Sequence, residues 1–282
     1  MKIGLFLLIP FVCFACASSP APEAAPTAPH HQTSSHPANI ATETIEYTVN
    51  GTPFTGFLAY DKTIEGRRPG VIVVHEWWGH NAYARSRAVQ LAKLGYTAFA
   101  LDMYGSGQVT DHPDEAMQFM KESLKNNEQV KARFLKAKAI LQEQTSTNPD
   151  QIAAIGYCFG GGVVLNMARA GVDLDGIISF HGTLAPLFTS SPGTIKARIL
   201  VLHGADDTLI PAEQVSAFKT EMNAAGANYT FISYPNAQHA FTNPNATELG
   251  SRYHMPIAYN QQADTQSWHE LQQFLASLWP HD

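Results

Sequence analysis

Short apolar runs that stop abruptly and alternate with helix-forming stretches constrain this chain more than any other feature. Residues 71–75 are a continuous apolar run after Pro69-Gly70, and 96–101 form a second one ending at Asp102. Residues 152–156, 176–180, 198–203 and 229–234 read the same way. A strand covered on both faces has no solvent side and loses the in-out alternation of a half-exposed one. Between these runs, residues 81–94, 112–125, 128–144, 159–170, 212–225 and 265–278 have helical spacing or helix-forming composition. Ahead of them, 44–49 and 53–60 alternate around Asn50-Gly51-Thr52, a hairpin signal. Buried strands separated by helices predict an α/β fold, a mostly parallel central sheet with helices on both faces. Such sheets gather their chemistry at the carboxyl ends of the strands.

Composition narrows the partners. The 282 residues are 45% hydrophobic and 15% charged, enough apolar material for one core and too little charge for a largely disordered chain. A net charge of -6, with no basic block beyond Arg67-Arg68, argues against nucleic acid. No repeat of solenoid period recurs.

The amino terminus reads as an address. Lys2 precedes an apolar run over 3–17, interrupted by Pro10, too short for the roughly 20 residues a membrane span needs. Residues 1–17 are expected to be a secretory signal. Ala15-Cys16-Ala17 has the small-x-small pattern of ordinary cleavage. Alternatively, cleavage before Cys16 would leave an acylated cysteine, a lipid anchor to the membrane. Export to the periplasm is expected under either reading. Residues 18–41, rich in Pro, Ala, Ser, Thr and His, read as a flexible tether, in which His30, His31 and His36 are solvated. Residues 42–282 form the folded domain.

Of three cysteines, Cys13 and Cys16 lie in the signal, leaving Cys158 alone in the body. A lone thiol in an exported domain makes no internal disulfide. Its context is Gly156-Tyr157-Cys158-Phe159-Gly160, between a buried strand and a helix. That is the G-x-nucleophile-x-G turn, with glycines that let strand and helix approach and a helix amino terminus aimed at the sulfur. The elbow rule makes Phe159 N–H an oxyanion donor. His203-Gly204-Ala205-Asp206-Asp207 follows the next-but-one strand and offers two acids. Asn236-Ala237-Gln238-His239 follows the strand after that and offers a base. Either acid could orient His239, or both could cap the helix beginning near Pro211.

In these residues the chain resembles the dienelactone hydrolases, thiol members of the α/β-hydrolase fold. The resemblance runs over residues 45–278. It is carried by Val73-Val74-His75-Glu76-Trp77-Trp78-Gly79, Gly156-Tyr157-Cys158-Phe159-Gly160-Gly161, Gly204-x-x-Asp207-x-x-Ile210-Pro211 and His239-Ala240-Phe241. It implies Cys158 as nucleophile, His239 as base and Asp207 as the acid behind it. It also implies Glu76 as the carboxylate that holds the thiol proton until substrate arrives, and Trp77 N–H as the second oxyanion donor. Family members acting on dienelactone hold its carboxylate with arginines, one of them four residues beyond the catalytic histidine. Here that residue is Asn243, so the fold and reaction type carry over and dienelactone itself is not the expected substrate.

Trp77, Trp78, Tyr83, Tyr104 and Phe159 are candidates to line an apolar substrate site, with core packing as the equal alternative. His75-Glu76-Trp77-Trp78-Gly79-His80 imitates a zinc motif with one residue too many. On a helix that step turns the second histidine about 140° from the first, so no metal is expected. His181 and His203 read as hydrogen-bonded structural residues. The expected activity is hydrolysis of a small ester or lactone without cofactor; the other class is an exported binding protein with a vestigial site.

Overall fold

The computed structural model describes Met1 and residues 38–280. The chain divides into two units, Met1–Ser35 and His36–Asp282, and the fold that follows is that of the second. The expected secretory signal with Cys16, and most of the expected tether with its histidines, lie outside the described residues.

The second unit begins with a hairpin, β1 (Ile40–Val49) and β2 (Thr52–Asp61), turning at Asn50 and Gly51, both at positive φ. Ile40 and Ala41 are therefore strand, not tether: they pair with Asp61 and Tyr60. Next come β3 (Arg68–Val74), α1 (Ala82–Lys93), β4 (Thr97–Leu101), α2 (Pro113–Leu124), α3 (Asn127–Gln142) and β5 (Thr147–Tyr157). The chain continues with α4 (Phe159–Arg169), β6 (Gly176–Phe180), β7 (Arg198–Gly204), α5 (Ala212–Ala225), β8 (Tyr229–Tyr234), α6 (Ala246–Tyr253) and α7 (Gln261–Leu278). The eight strands form one sheet in the order β1-β2-β4-β3-β5-β6-β7-β8. β1 and β2 run antiparallel to their neighbours, and β4 through β8 are parallel.

Side chains alternate between two cores. Ile72 and Val74 face the layer of α3, α4 and α5, with Phe134, Val164 and Phe218. Val71 and Val73 face α1 and α7, with Leu91, Leu271 and Leu275. Both faces are covered, which is why these strands read as unbroken apolar runs. Asn81, Asn126 and Asn260 cap α1, α3 and α7 by accepting backbone N–H bonds, and α5 ends at Gly226 in the left-handed region.

Three elements depart from the sequence reading. β5 reaches back to Thr147 through a polar stretch containing Pro149, because Thr147 and Asn148 pair with Arg68 and Pro69 before the register shifts. α7 starts at Gln261, where Asn260 caps it, rather than at 265. α6 was not expected at all; Ala246 and Gly250 are buried in so short a helix that no period emerges.

The chain moves from β3 to β4 on one side and returns to β5 on the other. That reversal puts a topological switch point at the carboxyl ends of β3 and β5, where α/β sheets place ligands.

Candidate active site

Cys158 sits at this switch point between β5 and α4, at φ 53° and ψ -114°, a backbone conformation that costs free energy for any residue with a side chain. Close packing sustains it. A Cβ on Gly156 would lie 2.1 Å from Gly160 O, and one on Gly160 would lie 2.3 Å from Val74 O. The Cys158 N–H donates to Phe180 O at 3.0 Å and to His181 Nδ1 at 3.2 Å. Its thiol is free and half-buried, at the amino terminus of α4.

His239 lies on the loop after β8, between Asn236 and Ala240, both at positive φ. The loop is fastened by Ala258 N–H donating to His239 O at 3.2 Å and by a bridge between His239 and Ile257. α6 packs beneath it: a Cβ on Gly250 would lie 2.3 Å from Ile257 O. Nδ1 of His239 is 2.8 Å from Asp207 Oδ2. Asp207 is buried and its Oδ1 accepts Leu209 N–H at 3.0 Å, whereas Asp206 is exposed. Neither acid caps α5, whose N-cap is Pro211. Burial works against charge on His239, yet the Cys158 sulfur and the hydrogen-bonded Asp207 carboxylate outweigh it and push the imidazole up to about 10.

Glu76 is 2% exposed. Its Oε2 accepts from Asn243 Nδ2 at 2.6 Å, and its Oε1 is buried without a hydrogen-bond partner. Burial raises its pKa to about 7, moderated by the Asn243 bond and the charges of His239 and Arg87. The resemblance assigned this carboxylate to the thiol proton. In the structure its hydrogen bond goes to Asn243 instead, and Asn243 Oδ1 is itself engaged by Asn245 N–H.

Among the aromatic candidates, Trp77 is half-buried and packs on Trp78, which is buried with Ala240 and Ile257. The buried Tyr104 donates its hydroxyl to Trp77 O at 2.9 Å and packs on Phe159. Tyr83 turns its hydroxyl to Thr242 Oγ1 at 2.6 Å and accepts from Arg87 Nε at 3.2 Å. These contacts make Trp78, Tyr83 and Tyr104 parts of the packed wall and floor.

Thr242 and Arg87 escaped the sequence reading, whereas His181 is the hydrogen-bonded structural residue it was expected to be. Thr242 bonds both Tyr83 and His181 Nε2, the latter at 2.7 Å, and its carbonyl accepts from Arg87. His181 thus joins the Cys158 backbone to the His239 loop, while its ring meets that of His239 edge-on at 5.3 Å. Burial and the charges of His239 and Arg87 keep it well below the usual histidine range. His203 packs on Phe231. Strand-end position was the signal for His181 and the spacing from His239 the signal for Asn243, but Thr242 carries none. Both nitrogens of His75 are engaged by backbone groups, and among the described residues no cluster of three or more His, Cys, Asp or Glu is arranged to hold a metal.

The model of the dienelactone hydrolase family matches residues 54–278. The chain belongs to the dienelactone hydrolase family. Its relatives include a protein of Aquifex aeolicus (strain VF5), whose name proposes a carboxymethylenebutenolidase. The two are 28% identical over 204 residues, covering 71% of this chain and 86% of that one. The crystal structure of P91, a dienelactone hydrolase-like promiscuous phosphotriesterase from metagenomic libraries, superposes with a TM-score of 0.81 at 33% identity, over 86% of this chain and 99% of P91. MGS-M1, an α/β-hydrolase enzyme from a Medee basin deep-sea metagenome library, shares the fold at 18% identity. Its TM-score is 0.57, over 86% of this chain and 98% of its own. The chain thus has the α/β-hydrolase fold and is a dienelactone hydrolase-like hydrolase.

Proposed function

We propose that the protein is an exported, cysteine-dependent hydrolase of small ester or lactone substrates that works through a thioester acyl-enzyme. The observation that carries the reading is the alignment of Cys158, on its strained turn at a helix amino terminus, with a His239 held 2.8 Å from a buried Asp207. An imidazole pushed up to about 10 by these partners is cationic at neutral pH, so it carries the proton that the leaving oxygen needs.

The Cys158 thiolate attacks the acyl carbon, and the carbonyl electrons move to an oxyanion held by the N–H groups of Trp77 and Phe159. The oxyanion collapses, the C–O bond to the alcohol breaks, and the leaving oxygen takes the proton from His239. Water then attacks the thioester and gives a proton to neutral His239. The second collapse expels the Cys158 thiolate and releases the carboxylic acid. Asp207 holds the imidazole in the tautomer that can do this. The substrate is uncharged at its reacting end: beside the site stand the Glu76 carboxylate and the Asn243 amide, and Asn243 offers an anion no cation.

Export rests on residues 1–17, and the anchor on Cys16.

The test is hydrolysis of short and long nitrophenyl esters by wild type, Cys158→Ala and His239→Ala, with and without chelator. Turnover is expected to vanish in both variants and to ignore chelator. Turnover surviving Cys158→Ala would sink the mechanism, and a wild type inert on every ester would return the protein to the class of binding proteins. A nitrophenyl phosphotriester in the same panel reads whether the side activity named for P91 extends to this chain.

A further inference from the structure

His75 has no part in the mechanism above, yet it is completely buried one residue before Glu76. Both ring nitrogens meet backbone atoms. The Met103 N–H donates to Nε2 at 3.1 Å, and Nδ1 lies 2.5 Å from Glu76 O. A backbone N–H can only donate, so Nε2 carries no proton. Burial opposes charge on the ring and lowers its pKa, which leaves the neutral imidazole with its proton on Nδ1. Nδ1–H therefore donates to the Glu76 carbonyl.

That carbonyl belongs to the same planar trans peptide as the Trp77 N–H, and the two point in opposite directions. A bond that pins the oxygen also aims the N–H. The ring is itself held: it stacks on Phe159 with centroids 5.7 Å apart and meets Tyr104 edge-on at 4.8 Å. Tyr104 in turn bonds Trp77 O, the next carbonyl along. The Glu76 carbonyl also accepts the Gly79 N–H at 3.2 Å, a longer contact than the 2.5 Å one with His75. Without the histidine that turn bond alone would resist a rotation of the Glu76–Trp77 peptide that points its carbonyl oxygen toward the developing oxyanion, replacing attraction by repulsion.

We infer that His75 is the positioning residue of the oxyanion hole: its Nδ1–H, fixed by Met103, holds the Glu76–Trp77 peptide with the Trp77 N–H facing the acyl carbonyl. This rests on the assignment of that N–H to the hole in the reaction proposed above. The histidine of the imitation zinc motif thereby acquires a role that needs no metal.

The experiment compares wild type, His75→Phe and His75→Gln on a nitrophenyl ester. His75→Phe keeps a ring without donor or acceptor, whereas the glutamine amide restores both. Losing one oxyanion donor costs about 100- to 1,000-fold in kcat, so His75→Phe is expected to lose about 100-fold in kcat with KM little changed. Inhibition by a trifluoromethyl ketone, whose hemithioketal places an oxyanion in the hole, should weaken by a similar factor. Alkylation of Cys158 by iodoacetamide, which builds no oxyanion, should keep its wild-type rate. His75→Gln should recover most of the loss. Wild-type kcat in His75→Phe would overturn the inference, and so would a parallel fall in turnover and alkylation. If the phenylalanine variant does not fold, nitrogen NMR of the wild-type imidazole at pH 7 decides: a protonated Nδ1 with a bare Nε2 is expected, and the opposite tautomer or an imidazolium overturns it. Cys158→Ala and His239→Ala controls separate the two failures, because turnover surviving in them removes the reaction itself, whatever His75 does.

Discussion

At the scale of single residues, the site is a set of ionisable groups moved from their ordinary values in opposed senses. His239 is raised to about 10 against the opposition of burial, by Cys158 and Asp207. A histidine raised in the folded state adds stability fully below its unfolded value, near 6.5, and loses that contribution as pH climbs through about 10. The difference in Tm between wild type and His239→Phe should therefore shrink as pH rises from about 6.5 to about 10; a gap that widens over that range would contradict the ion pair. Glu76 has the other sign of effect. Its pKa, raised by burial to about 7, means that ionising it disfavours the folded state, so its contribution falls as pH rises from about 4.5 through about 7. Glu76→Gln should be no less stable than wild type at pH 5 and more stable at pH 8, with altered turnover, a trade common at active sites. Thermal melts at the two pH values check it.

The elements are held around the site by close approach and by buried ion pairs, Arg87 with Asp264 and Arg169 with Glu221. Gly160 exists because α4 crosses the end of β3 with no room for a methyl group. Gly160→Ala should cost about 3 kcal/mol or more by denaturant melts, since backbone and not a pliable side chain occupies the space. Farther out, the guanidinium of the fully buried Arg169 on α4 grips both oxygens of Glu221 on α5 at 2.8 Å, and also bonds Leu184 O. Glu221→Ala leaves a buried cation unpaired and should destabilise by about 3 kcal/mol. Kinetic constants of the folded fraction should stay near wild type, because this pair lies outside the Cys158–His239–Asp207 set. A variant of unchanged Tm would show the pair to be incidental.

At the scale of the whole molecule, the sheet is the shared wall of two cores, and the site stands where its strand order reverses. The described fold begins at the β1 hairpin. Removing residues 1–37 should leave Tm and ester turnover unchanged. Removing 1–41 takes Ile40 and Ala41 from β1 and should lower Tm. Differential scanning of the two truncations reads the true edge of the domain.

Much of this architecture was legible in the residues themselves. Continuous apolar runs record burial on both faces, glycines around Cys158 record a backbone approach, and the proposed nucleophile, acid and base follow in chain order at the ends of β5, β7 and β8. Those are local signals, because burial, dihedral freedom and helix period each leave a mark within a few residues. What tertiary structure alone decided are choices among partners far apart in sequence. Asp206 and Asp207 are chemically equal neighbours; their own chemistry left the choice open, the family resemblance pointed to Asp207, and the closure of the β8 loop sets Asp207 against His239. Asn243 looks like a missing arginine until it is seen to engage Glu76, 167 residues away. His75 looks like half a zinc site until Met103 N–H, supplied by β4's end, dictates its tautomer. α6 and the early strand of β5 are stabilised by what they pack against rather than by their own period. A hydrogen bond's direction depends on both partners, and no sequence pattern records a partner brought near by the fold.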